Sequence, residues 1–193
     1  MKICYTHSEA ESLMSPEVMR IIDLVRDFLE EYYETPKYDG GWDYTLPEIR
    51  DFLRNKLDDF ISKENLPFDV NFFRGSYAVL LKHKKNKCFI KVGGITDVKE
   101  SNQKIIPSPE FAIQTCFVFI DDFPIRIQPV ADCAGDTRDE VYNEFKKVLK
   151  ELNVAHQRED LFYSFDDYQW HFGQDFANRN VGRYQGKPVI VDW

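Results

Sequence analysis

Between residues 15 and 34, Val18, Ile21, Ile22, Val25, Phe28, Leu29 and Tyr32 recur three and four apart, while Arg20, Asp23, Arg26, Asp27, Glu30 and Glu31 lie largely opposite. That period lays one apolar stripe along a helix. Ser15 is placed to cap it, and Pro16 suits the first helical position, where no N–H is needed. Thr35-Pro36 through Gly40-Gly41 ends it. A second helix is expected from Thr45, where Thr45 and Glu48 have capping-box spacing. Ile49, Phe52, Leu53, Leu57, Phe60 and Ile61 then continue the apolar face. The two helices read as an antiparallel pair, each stripe broad enough to be consumed by packing.

The pattern then becomes β-rich. Phe68-Asp69-Val70-Asn71-Phe72 alternates, and Arg74-Gly75-Ser76-Tyr77 is a turn. Ala78-Val79-Leu80-Leu81 and Cys88-Phe89-Ile90-Lys91-Val92 are two further strands. Gly93-Gly94 opens a loop that Pro107-Ser108-Pro109 interrupts. Residues 111–120 read as one strong strand, turned at Asp121-Asp122 into a partner over 124–130 with Arg126 and Gln128 on one face. About five antiparallel strands are expected. A third helix follows from Arg138 to Leu152, with Thr137 and Glu140 at capping-box spacing and Val141, Phe145, Val148, Leu149 and Leu152 as its stripe. The fold class is therefore α+β.

Composition narrows the partners. The formal net charge of -8 does not suit a binder of nucleic-acid backbones, and no basic stripe dominates. The one basic cluster, Lys82-His83-Lys84-Lys85-Asn86-Lys87, reads as a solvated hairpin turn. Four cysteines, Cys4, Cys88, Cys116 and Cys133, show no metal-ligand spacing and no Cys-x-x-Cys. They read as buried thiols of a reducing compartment. The first seven residues lack a signal-peptide core, and no apolar run reaches membrane-span length. A cytoplasmic protein with no membrane partner is expected.

The candidate chemistry lies at the end of the chain. Asp175-Phe176-Ala177-Asn178-Arg179-Asn180-Val181-Gly182 places an Asn five positions after an Asp, and Pro188-Val189-Ile190-Val191-Asp192-Trp193 is a short apolar strand ending in a second Asp. Phosphoryl transfer uses such parts: one carboxylate to orient a hydroxyl, and an amide and a second carboxylate to hold magnesium. The order Asp-x-x-x-x-Asn-x-Gly…Val-Ile-Val-Asp-Trp resembles the protein-kinase-like superfamily. It looks most like its aminoglycoside-phosphotransferase and small bacterial or phage kinase-like branch. A plain Asn-containing turn followed by a β-hairpin through Gln185-Gly186 accounts for the same residues without chemistry.

The resemblance implies a minimal kinase-like fold: an N-terminal helical extension over 1–65, a five-stranded N-lobe over 66–131, and a reduced C-lobe over 132–193 that ends at the metal-binding Asp. It implies ATP and Mg2+ as cofactors. Asp175 would act on the acceptor hydroxyl, and Asn180 and Asp192 would hold the metal. Gly75-Ser76-Tyr77-Ala78-Val79 would be the loop over the phosphates, and Lys91 would pair with the α- and β-phosphates. Gln128-Pro129-Val130-Ala131 would be the hinge that meets the adenine edge. Glu110 or Glu100 would pair with Lys91. Lys91 by itself also fits an outward-facing strand lysine.

Three departures bear on activity. His171 lies four before Asp175, where the family carries its His or substitute two before; Gly173 stands there. The aromatic-rich stretch 153–174 separates the third helix from Asp175 and reads as an insertion. The sequence stops at Trp193, which fits either a truncated chain or a minimal kinase-like protein, and it holds neither an activation segment nor the later helices. Two functions result: a phosphotransferase acting on a protein or small-molecule hydroxyl, or a catalytically inactive kinase-like protein that docks on a partner through its N-terminal helices. An unrelated α+β domain without a site is the third.

Overall fold

In the computed structural model, residues 1–33, 47–71, 78–85, 87–94, 104–106, 111–155 and 180–191 are described. Helix α1 (Pro16–Tyr33) begins as its sequence signals require: Ser15 Oγ accepts a hydrogen bond from the Val18 N–H at 3.3 Å. Helix α2 (Pro47–Lys63) ends at Asn65, whose φ of 49° is left-handed, and the Leu66 N–H returns to the Ile61 carbonyl at 3.0 Å. That is the Schellman closure, which satisfies a carbonyl the helix end leaves over. The capping pair expected at Thr45 and Glu48 lies outside the described residues.

The helices are antiparallel, because the start of one meets the end of the other. Arg20 bonds Glu64 at 2.9 Å, Lys56 bonds Glu31 at 2.7 Å, and the Tyr32 and Phe52 rings lie 5.1 Å apart. Their stripes, Val18, Ile21, Ile22, Val25 and Leu29 on α1 and Ile49, Leu53, Leu57 and Ile61 on α2, are buried in one cluster with a β-sheet.

That sheet has six strands, β1 (Lys2–Tyr5), β2 (Phe68–Asn71), β3 (Ala78–His83), β4 (Cys88–Gly93), β5 (Cys116–Ile120) and β6 (Phe123–Pro129). Their order is β1-β5-β6-β4-β3-β2, and every pairing is antiparallel. One strand exceeds the expected five. β1 is only four residues long and pairs with β5, more than a hundred positions away, so nothing local marks it. Ala78 and Val79, expected within a phosphate-covering loop, belong to β3.

The strand expected over 111–120 is shorter than its apolar run. Phe111 has a φ of 66°, which breaks the extended backbone. Residues 111–113 instead pair with a later hairpin, and only Cys116–Ile120 enters the sheet. The basic cluster is also divided. Lys84, Lys85 and Lys87 are exposed, but His83 is buried on β3, edge-on to Phe68 at 5.2 Å.

The chain forms two compact units. Met1–Ile106 with Gln114–Pro129 makes the first, so the helical pair expected as an extension shares a core with the sheet. Pro107–Ile113 with Val130–Trp193 makes the second. Its described elements are helix α3 (Gly135–Ala155) and a hairpin of β7 (Val181–Tyr184) and β8 (Lys187–Ile190). α3 starts three residues before the expected Arg138. Thr137, expected at the cap, lies inside the helix, and its hydroxyl donates at 2.9 Å to the Asp132 carboxylate, which also accepts from the Ala134 N–H at 3.0 Å. Those two bonds hold the Asp132 carboxyl below its ordinary pKa. No helix among the described residues is long and apolar enough to cross a membrane.

Candidate active site

The expected site residues fall in three places. Lys91 and Gln128 belong to the first unit, Val130 and Asn180 to the second. Gly75, Ser76, Asp175 and Asp192 lie outside the described residues, as do Glu100, Glu110, His171 and Trp193.

Lys91 is placed by strand alternation. On β4, Cys88, Ile90 and Val92 enter the core shared with the helices. Successive side chains point to opposite faces, so Lys91 lies on the face away from α1 and α2. It is half-buried there. Across the sheet it stands opposite Leu80 on β3 and Arg126 on β6, and Arg126 stands opposite Phe117 on β5. Arg126 is 3% exposed. Arg126 carried no assigned role in the sequence, because only strand register reveals that it is the neighbour of Lys91.

Gln128 lies within β6, opposite Phe89. Its side-chain amide donates to Thr115 Oγ1 at 3.0 Å. β6 ends at Pro129, which has no N–H to offer, and Val130 is the first residue past the strand.

In the second unit the geometry centres on the β7–β8 hairpin. Gln185 and Gly186 both have positive φ, 50° and 77°, the signature of a two-residue turn whose twist matches its strands. Both outer edges of the hairpin are tied down. Arg183 on β7 exchanges two backbone hydrogen bonds with Asp132, at 2.8 and 2.9 Å. On β8, the Ile190 carbonyl accepts from the Ile113 N–H at 2.9 Å, and the Ile190 N–H donates to the Phe111 carbonyl at 2.8 Å. The Arg183 guanidinium reaches Glu144 of α3 at 2.8 Å, and Phe111 packs edge-on to Phe145 at 5.2 Å.

Gly182 permits this closeness. A Cβ there would stand 2.7 Å from Cys133 Sγ and 2.8 Å from the Asp132 carbonyl oxygen. The glycine two positions after Asn180 is thus required by backbone approach.

At the open end of the hairpin, Asn180 is 5% exposed, and its carbonyl accepts from the Val191 N–H at 2.8 Å. Val191 is the chain neighbour of Asp192. Register therefore brings together two positions eleven residues apart in sequence. Among the described residues, no group of three or more His, Cys, Asp or Glu could hold a metal ion.

The cysteines are separate from this chemistry. Burial pushes the Cys88 thiol up to about 11 and the Cys116 thiol up to about 12. Burial also raises Cys133, against the opposing effect of Arg138. Thiols held protonated are weak nucleophiles and poor metal ligands. No family model, curated protein or solved structure matches this chain.

Proposed function

We propose that the chain is an ATP- and magnesium-dependent phosphotransferase of kinase-like design, acting on a hydroxyl of a protein or small molecule. The observation that carries this reading is the hairpin mouth, where the Val191 N–H is bonded to the Asn180 carbonyl at 2.8 Å. Paired backbone is one way to let an amide and a carboxylate serve one cation, and this bond holds the residue before Asp192 against Asn180. The donor set also fits: amide and carboxylate oxygens are the hard ligands magnesium takes. When bound, magnesium neutralises the phosphate charge that opposes attack.

The remaining roles belong to the chain. Lys91, on the sheet face opposite α1 and α2, holds oxygens of the α- and β-phosphates. Gly75 and Ser76 bring backbone close to the phosphates, and the stretch from Gln128 to Val130 meets the adenine edge. Asp175 orients the acceptor hydroxyl and takes its proton as the new O–P bond forms. The bond from the γ-phosphorus to the bridging oxygen breaks in the same displacement, and ADP leaves. Most of the rate gain is positioning and charge complementarity, with no covalent enzyme intermediate.

Thermal melting with and without ATP and magnesium tests the reading. Ligand at a hundred times its Kd stabilises by about 2.7 kcal/mol, a rise of roughly 5–10 °C for a chain of this size. Asp192→Ala removes the magnesium-dependent part. Absence of any shift at millimolar ATP ends the proposal. Transfer of labelled γ-phosphate, abolished by Asp175→Ala, separates turnover from binding alone.

A further inference from the structure

We infer that Phe111 is a positioning residue, a strained clasp on strand β8 that holds the backbone beside the proposed magnesium ligands in register. The inference rests on the phosphotransferase reading and adds to it the residue that fixes the hairpin mouth. Its basis is a backbone outlier. Phe111 has a φ of 66°, in the left-handed region that L side chains disfavour. Among the described residues, three other non-glycines share that sign: Asn65 just past the end of α2, Asp121 between β5 and β6, and Gln185 between β7 and β8. Those three serve tight turns. Phe111 is the one bulky ring among them, and a bulky residue keeps such a conformation only where its surroundings over-determine it.

Three contacts do so here. The Phe111 carbonyl accepts from the Ile190 N–H at 2.8 Å, the Ile113 N–H donates to the Ile190 carbonyl at 2.9 Å, and the Phe111 ring meets Phe145 of α3 edge-on at 5.2 Å. Phe145 and Ile190 are buried, so the core around them fixes both anchor points. Both main-chain bonds end on Ile190. The next residue, Val191, donates to the Asn180 carbonyl. A continuous run of contacts therefore leads from α3 through Phe111 to the hairpin mouth, all within the second unit.

β7 and β8 have four residues each, and a two-stranded hairpin by itself is marginally stable. The clasp on β8 supplies what the pair lacks. Rotation of φ to the ordinary negative range would turn the Phe111 carbonyl against the preceding peptide and away from Ile190. Ring and strain are thus coupled: the ring contact holds the left-handed backbone, and that backbone holds β8. Magnesium takes oxygens in near-octahedral geometry at about 2.1 Å, so a slack mouth would cost magnesium affinity before anything else.

The experiment compares Phe111→Ala, Phe111→Gly and Phe111→Tyr in the full chain. It reads amide hydrogen exchange at Ile190 and Val191, magnesium affinity in the presence of ATP, and ATP affinity in EDTA. Phe111→Ala loses the ring but still disfavours positive φ, so the backbone relaxes. Faster exchange at Ile190 and weaker magnesium binding are expected, each by about fivefold or more, the factor by which the left-handed penalty shifts the backbone. ATP affinity in EDTA is expected to stay unchanged. Phe111→Gly loses the same ring but adopts positive φ freely, so it is expected to keep the bond to Ile190 and to stay within about twofold of wild type in magnesium affinity. Phe111→Tyr keeps ring and strain and is expected to match wild type.

A ring that serves packing alone would lower the melting temperature in Phe111→Ala and Phe111→Gly and leave magnesium affinity intact in both, which overturns the inference. Equal loss of magnesium affinity in the two variants overturns it as well, because strain then has no part. If Phe111→Ala does not fold, Phe111→Leu takes its place against Phe111→Gly on the same readings. Wild type that binds no magnesium nucleotide removes the phosphotransferase reading, and the exchange rates then decide the clasp alone. Faster exchange at Ile190 in Phe111→Ala than in Phe111→Gly keeps it, and equal rates end it.

Discussion

Gly182 has no room for a methyl group. Its absent Cβ would come within 2.8 Å of a backbone oxygen that cannot rotate away. Gly182→Ala is therefore expected to cost about 1–3 kcal/mol, the usual range for forced overpacking, and to lower the melting temperature by several degrees. His83 is the second informative residue. Its Nδ1 accepts the Lys85 N–H at 3.0 Å, which requires the neutral ring, and burial lowers its pKa from the ordinary 6.5, with Lys87 adding to the effect. A folded-state pKa below the unfolded one means that the unfolded chain takes up the proton first. This contribution is complete above about pH 6.5 and is lost as pH falls through the folded value. Urea midpoints should thus decline from pH 7.5 to 5.5, and His83→Gln should flatten that part of the decline. Nothing in the run Lys82-His83-Lys84-Lys85 distinguishes the one inward side chain. Strand alternation does so only once β3 is known to extend to His83.

At the scale of elements, the two N-terminal helices were legible almost to their ends. A 3.6-residue period, a serine cap and an N1 proline are local signals, and tertiary packing only had to agree with them. Leu57 sits at the centre of that agreement, fully buried between α1, α2 and the sheet. Leu57→Ala is expected to cost about 2–5 kcal/mol through lost transfer energy and a cavity. Lys56→Ala removes a surface pair with Glu31 and the contact of the ammonium with the Phe28 and Phe52 rings, each 5.5 Å away, and is expected to cost about 1–2 kcal/mol. Chemical denaturation of the two variants side by side checks the contrast. The elements that sequence missed have non-local causes. β1 is a strand because β5 offers it an edge. Residues 111–113 leave the β5 line because β8 supplies their hydrogen bonds and Phe111 turns the backbone.

At the scale of the molecule, an antiparallel sheet with helices against one face leaves the other face to carry different chemistry. Lys91 and Arg126 lie on that other face. The apolar faces of α1 and α2 are consumed by the sheet, so a partner docking on this pair would meet mainly charged residues. An excess of acidic residues, -8 overall, makes a cationic pair in one row of a sheet a local feature, distinct from the general field.

What the sequence determined by itself is the set of elements whose signals are local. These are three helices, most of the strands, and the Gln185-Gly186 turn that returns the chain toward Asn180. It also supplied the candidate residues and their order. Tertiary structure alone decided which of them are neighbours. Arg126 beside Lys91 and Val191 against Asn180 depend on register, which is set by which hydrophobic faces pack and which edges pair. Residues far apart in a chain carry no mark of that pairing until the hydrogen bonds are drawn.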